Sequence, residues 1–287
     1  QVGSTSVPEV SVIIPVLNGI PFLGEQLEAL AQQASPPPFE VILSDNGSTD
    51  GSQDVAERFR DRLCIRSIDA SAQRGQTHAR NMGVAASRGR LLLFLDQDDR
   101  VGSTYVAAMA RALLDHDAVA ARMETTLLNP GWVSQAREIA QTSGLGREPA
   151  PWAYACSLGL ARAVFDEVGG FDTALDLAGE DVDLCLRLAE AGRTLTYVPE
   201  AVLHYRFPTT RRALLAQGRR YGAGQEVVHR KHGMASEGWG RWARSLLGPL
   251  RLVVLGRGAG ARAHGWFLLG RRLGSAEGRL RSSRSST

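Results

Sequence analysis

The chain has 287 residues, 44% of them hydrophobic and 22% charged, enough for one large domain or two modest ones with a sizeable core. Its three cysteines, Cys64, Cys156 and Cys185, are odd in number and lack CxxC spacing. They offer neither a disulfide framework nor a zinc cluster and point to a reducing, cytoplasmic setting. The net charge of +3 hides an asymmetry: residues 1–205 carry 16 Lys/Arg against 27 Asp/Glu, and residues 206–287 carry 17 against 3. An acidic catalytic body with a basic appendage is expected, the appendage facing a membrane surface, a phosphorylated substrate or nucleic acid.

Gln1 to Pro8 reads as a flexible lead-in without a secretory signal pattern. Val10–Pro15 is a strand, followed by a loop at Leu17, Asn18 and Gly19 and a helix with Leu23, Leu27, Leu30 and Ala31 on one face. Phe39–Leu43 is a second strand. The polar turn Ser44–Ser52 then leads to a helix through Phe59, Leu63–Ile68 is a weak third strand, and Gly75–Ser87 is helical. Strands alternating with helices indicate βαβ units and a largely parallel sheet.

Leu91-Leu92-Leu93-Phe94-Leu95 is apolar throughout, as a fully buried strand should be. Asp96, Asp98 and Asp99 crowd its carboxyl end, where open α/β sheets bind ligands. Such crowding calls for a cation or hydrogen-bond donors. The alternative is an acidic loop capping the next helix, Thr104–Asp115.

Beyond residue 118 the periodicity weakens. Ala118–Arg122 and Tyr154–Leu160 read as strands and Arg162–Val168 as a short helix. Gly169–Asp172 is a loop, and Gly179-Glu180-Asp181 opens a helix that Gly192 ends. Leu195–Val198 and Ala201–Tyr205 form two short strands around Pro199. Residues 209–232 form a basic helix, and Arg279–Thr287 reads as a disordered tail. The apolar stretch Leu246–Leu255 is ten residues long, whereas a bilayer span needs about 20. Flanked by Trp239, Trp242 and arginines, it could lie in a membrane interface or pack back on the domain.

Several motifs together resemble an inverting family 2 glycosyltransferase. They are Ser11–Pro15 with Asn18, Asp45–Asp50, Ala79-Arg80-Asn81-Met82-Gly83, Phe94–Asp99, Gly169–Asp172, Gly179–Leu184 and finally His204. The resemblance covers about residues 9–206. It implies a GT-A fold, meaning an α/β, mostly parallel, Rossmann-like sheet flanked by helices. It also implies a nucleotide-diphosphate sugar donor and Mn2+ or Mg2+. Residues 9–206 would form the GT-A domain and 207–287 a basic, mainly helical extension.

A departing diphosphate needs its charge neutralised, and a divalent cation held by oxygen ligands does this. Asp98 is the first choice as ligand, with Asp96 assisting the metal or the ribose and Asp99 a third. The resemblance adds His204, an acceptable partner to carboxylates for Mn2+. It also favours Asp181 over Glu180 and Asp183 as the general base that takes a proton from an acceptor hydroxyl. Asp45 and Asn46 would read the base of the nucleotide. Many relatives have Asp-Asp there, so Asp-Asn leaves UDP, dTDP and GDP donors open. Pro15, Asn18, Gln97, Arg74 and Arg80 complete the expected nucleotide site. Gly159, Gly170 and Phe171, with Glu180 and Asp181, border the sugar and acceptor, an unknown hydroxyl on a glycan, a lipid-linked compound or a small molecule.

The expected enzyme is therefore a hexosyl- or deoxyhexosyltransferase, cytoplasmic or peripheral at the inner face of the membrane. A nucleotidyltransferase making an NDP-sugar and a non-catalytic nucleotide-sugar binding module share much of this pattern. Nucleic acid is not an expected partner, because no aromatic stacking platform interleaves the arginines.

Overall fold

In the computed structural model, residues 7–134, 137, 139–175 and 178–284 are described, with side chains to residue 280. The chain divides into two compact units. The first comprises residues 1–124, 140–176 and 181–205, and the second residues 125–139, 177–180 and 206–287. The second unit thus takes two internal segments from the span expected to form one contiguous domain.

The first unit is built on one eight-stranded sheet. Its strands are β1 (Val10–Val16), β2 (Phe39–Asp45), β3 (Ile65–Asp69), β4 (Leu91–Phe94), β5 (Arg100–Val101), β6 (Ala118–Glu124), β7 (Leu158–Ala161) and β8 (Leu195–His204). They lie in the order β3-β2-β1-β4-β7-β6-β8-β5. β1 through β4 pair in parallel, whereas β7 runs antiparallel to both β4 and β6. The sheet is therefore mixed. Every residue of β1 and β4 is buried, as continuous apolar runs under helices on both faces require. Each Leu or Ile so buried contributes about 1.5–3 kcal/mol.

Two element readings are corrected, and one strand is added. The two short strands around Pro199 are one strand, β8, whose pairing with β6 jumps from Ala121↔Val198 to Arg122↔Val202. Pro199, lacking an N–H, sits within that bulge. The short β5, which no periodicity could reveal, pairs with β8 so that Arg100 lies opposite His204. Tyr154–Ser157 is not strand: Ala155–Ser157 forms a 3-10 turn before β7 begins.

The helices α1 (Leu23–Ala31), α2 (Ser52–Glu57), α3 (Gln76–Ala86), α4 (Tyr105–Ala112), α6 (Arg162–Glu167) and α7 (Glu180–Glu190) accompany the sheet, α5 (Gly131–Ser134) falling in the second unit. A Cβ on Gly83 of α3 would stand 2.5 Å from Ile13 Cγ2 and Ser44 Oγ. Only glycine lets α3 lie so close to β1 and β2, and Arg80 sits one turn away on the same face.

The second unit is mainly helical: α8 (Arg211–Lys231), α9 (Trp239–Ser245), α10 (Leu247–Leu255) and α11 (Gly258–Arg284). α8 and α11 pack backbone to backbone. A Cβ on Gly222 would collide with the Arg271 carbonyl, and one on Gly274 with the Arg219 carbonyl. The tail from Arg279 is thus not disordered but helical to Arg284, while residues 285–287 lie outside the described ones. Arg137 lies between the rings of Phe207 (4.5 Å) and Phe267 (3.8 Å) and donates to Gln217 at 2.6 Å. No described helix is long and apolar enough to cross a membrane.

Candidate active site

β4 ends at Phe94, and after Leu95 the next four residues carry the acidic cluster. Asp96 Oδ1 accepts 2.8 Å hydrogen bonds from Arg80 and from Gln76 Nε2. Arg80 is buried, and its guanidinium also lies 5.4 Å from the centroid of Phe171. Asp99 is buried, and Asp98, half-buried, is not in the close group that Asp96 and Asp99 form. The ligand atoms of Asp96, Asp99 and Cys156 lie within 4.8 Å of one another. Burial pushes the Cys156 thiol well above its ordinary pKa; Asp99 and Asp96 add to the shift, Arg80 opposes it, and Asp181 adds to it. One buried thiol therefore senses four of the residues in question. Tyr105 borders the same point: burial, then Cys156 and Asp99, raise its phenol.

Cys156 and Tyr105 were absent from the expected set. Cys156 follows the irregular stretch after residue 125, and only the insertion of β7 beside β4 carries it to the acidic loop. Nothing in its spacing announces this.

The expected nucleotide residues form a bonded loop system. Asn18 stands at φ 52°, a left-handed position asparagine tolerates. Its Oδ1 accepts from Thr49 N at 2.9 Å, while Asn18 N donates to Ser48 Oγ and Gly19 N to Ser52 Oγ. Asp45 Oδ1 accepts from Ser48 N at 2.9 Å, and Oδ2 accepts from Gln53. Asn46 Nδ2 donates to the carbonyls of Ala70 (2.6 Å) and Gln73 (2.8 Å), and its Oδ1 accepts from Gly75 N (2.9 Å). That amide therefore holds the loop before α3. Gln97 likewise grips the Leu17 backbone through both ends of its amide. Pro15 is buried in β1, and Arg74 is exposed on the loop that Asn46 holds.

Of the expected sugar-side residues, Gly159 lies inside the sheet, where a Cβ would press on Leu93 and Val119. Gly169 and Gly170 turn the chain at φ 80° and 68°. Phe171 then enters a cluster with Phe94 (5.0 Å, edge-on) and Phe165 (5.7 Å). Asn81 bonds both the N–H and the carbonyl of Phe171. Arg187, anchored on buried Asp183, donates to the carbonyls of Val168 and Gly170. Asp183 thus belongs to this clamp. Asp181 is half-buried at the start of α7, its Oδ1 accepting from Val182 N at 2.8 Å. Glu180 is buried and belongs to the second unit.

His204 is not one of the close group of Asp96, Asp99 and Cys156. Its Nδ1 meets Glu124 Oε2 at 2.7 Å. It also lines an open cleft of about 460 Å³ with Glu25, Glu28 and Arg100, whose walls include none of Asp96, Asp98 or Asp99.

The description "Glycosyl transferase family 2" belongs to the family model that matches residues 11–171. Glycosyltransferase AglE of Haloferax volcanii is 30% identical over 207 residues, 69% of this chain and 67% of the relative. Validoxylamine A glucosyltransferase of Streptomyces hygroscopicus subsp. limoneus is 31% identical over 235 residues, 69% of this chain and 52% of the relative. The chain thus spans about half to two thirds of the length of these proteins. Among solved structures, mannosyltransferase PcManGT from Pyrobaculum calidifontis, in complex with GDP-Man and Mn2+, matches at TM-score 0.63 and 19% identity, covering 99% of this chain and 77% of that one. TarS 1–349 of S. aureus, in complex with UDP-GlcNAc, matches at TM-score 0.56 and 17% identity, covering 95% and 92%. Those two likenesses concern the fold, a GT-A type mixed sheet with a helical C-terminal segment. The family model covers more than half of the chain, and the protein belongs to glycosyl transferase family 2.

Proposed function

We propose that the protein transfers a sugar, with inversion, from a nucleotide-diphosphate donor to an acceptor hydroxyl. The observation that carries this reading is the gathering of Asp96 and Asp99 at one buried point beyond β4, with buried Arg80 paired to Asp96; Asp181, at the start of α7, is taken as the base from the sequence motif. Asp181 takes the proton of the acceptor hydroxyl, whose oxygen bonds to the anomeric carbon as the bond from that carbon to the diphosphate breaks. Arg80 holds Asp96 in place, and the Asn18–Thr49 and Asn46–Gly75 contacts shape the nucleotide loops.

A divalent cation, when bound, would offset the charge gathering on the leaving diphosphate. The oxygen donors Asp96 and Asp99, which lie close together, fit such an ion, and Asp98, the residue before Asp99, is the further carboxylate proposed. Cys156 does not, since burial keeps its thiol protonated and hard cations prefer oxygen. His204 is the remaining candidate, lying opposite Arg100 two residues past Asp98. Its Glu124 contact resembles the carboxylate partners that orient metal-binding imidazoles and would leave Nε2 to the metal.

The test is turnover of a panel of UDP-, dTDP- and GDP-sugars by wild type, Asp181→Asn and Asp98→Ala, with the product anomer read by NMR. Asp181→Asn should keep donor binding and lose about 10²–10⁴ in kcat. Asp98→Ala should lose metal-stimulated transfer. A product of retained configuration, or full activity in Asp181→Asn, would overturn the reading.

A further inference from the structure

Helix α10 is built the wrong way round for a helix of a water-facing surface. Leu247, Leu250, Arg251 and Val254 recur at the three- and four-residue spacing of one helical face. All are exposed, the apolar ones at 61%, 43% and 74%, and neighbouring Leu255 at 73%. Pro249, by contrast, is buried, and Leu252 and Val253 are half-buried. The apolar side chains therefore point outward by design of the sequence, and contiguous exposed apolar surface marks a contact.

Charge identifies the occupant. From residue 238 to 276 there is no Asp or Glu, while Arg241, Arg244, Arg251, Arg257, Arg262, Arg271 and Arg272 all fall in that span. The exposed Arg241, Arg244, Arg251 and Arg257 lie immediately before, within and after α10 in the chain. Trp239, 51% exposed at the start of α9, adds a ring suited to a headgroup layer. A protein partner would need acidic residues around an apolar groove. An anionic lipid surface supplies both features at once, acyl chains below and phosphates above. We propose that α10 lies flat in an anionic bilayer interface, with Leu247, Leu250, Val254 and Leu255 in the acyl boundary and the arginines at headgroup phosphates. No described helix is long and apolar enough to span a bilayer, and α10 at nine residues is suited to lying in the interface.

Cosedimentation of the full chain with phosphatidylcholine vesicles, with and without phosphatidylglycerol, tests this. Binding is expected only with the anionic lipid, and it should weaken with salt. Val254→Ser with Leu255→Ser, both highly exposed and so harmless to folding, should lower partitioning about tenfold or more. Arg251→Gln with Arg257→Gln should lower it comparably. Circular dichroism confirms that each variant folds, and light scattering without lipid reads the oligomeric state. Three results would each overturn the proposal: no binding to anionic vesicles, binding indifferent to the Val254/Leu255 change, or a lipid-free dimer that the same change dissolves.

Discussion

Asn46 shows how one atom changes a residue's task. An aspartate cannot donate, so it could not bond the carbonyls of Ala70 and Gln73 that Asn46 Nδ2 holds. Asn46→Asp should therefore destabilise the protein by about 1–3 kcal/mol, measured by urea unfolding. Unchanged stability would mean the amide is not needed to hold the loop. The cysteines make a second residue-scale prediction. Cys64 is exposed, whereas Cys156 and Cys185 are buried. Burial also pushes the Cys185 thiol up to about 12, and only a thiolate attacks a disulfide reagent. A thiol assay should count one reactive cysteine in the native state and all three in denaturant. Prompt labelling of Cys156 would show the acidic group open to solvent.

At the scale of elements, the pairing of α8 with α11 couples close glycine contacts to a buried charge. Glu226 on α8 accepts from Ser275 and Arg279 of α11 and from Ser236. Burial alone would raise its pKa, but the bonds from Arg279, Ser275 and Ser236 outweigh it and hold the carboxyl below its ordinary 4.5. A carboxylate with a depressed folded pKa contributes stability that is present above the unfolded value and lost as pH falls through the folded one. Glu226→Gln should thus cost about 1–3 kcal/mol at neutral pH. The gap from wild type should close as the pH drops below 4.5. A gap independent of pH, in parallel melts from neutral to acid, would assign the loss to packing instead. The element-scale surprises have one source. β5, the Pro199 bulge and the α8–α11 pairing depend on partners far along the chain, and local periodicity carries no signal of them.

For the whole molecule, the proposed reaction would link donor and metal to folding. A nucleoside diphosphate that binds only the native chain raises apparent stability by RT ln(1 + [L]/Kd), about 2.7 kcal/mol at a hundredfold excess over Kd. A thermal-shift screen should show a rise with one of UDP, dTDP or GDP that grows when Mn2+ is added. The metal-dependent part of that shift should vanish in Asp98→Ala. A shift equal with and without metal would remove the cation from the donor site, and no shift at all would favour a different ligand class. Family membership already leaves the nucleotidyltransferase reading without support of its own.

The sheet core, the acidic turn and the family were legible before any coordinates, because each depends on short runs: five apolar residues ending at Leu95, three aspartates at its end, motifs in order. A buried strand must be apolar and a charged cluster must sit at its mouth, so local composition suffices. The partners of those residues were not legible. Arg80 reaches Asp96 because Gly83 lets α3 settle on β1 and β2. Cys156 joins the aspartates because β7 inserts antiparallel beside β4. His204 turns to Glu124 because β6 and β8 place them opposite one another. Each contact joins residues 16 to 80 positions apart. Their meeting depends on which strands pair and how closely helices approach, and no run of neighbouring side chains encodes that.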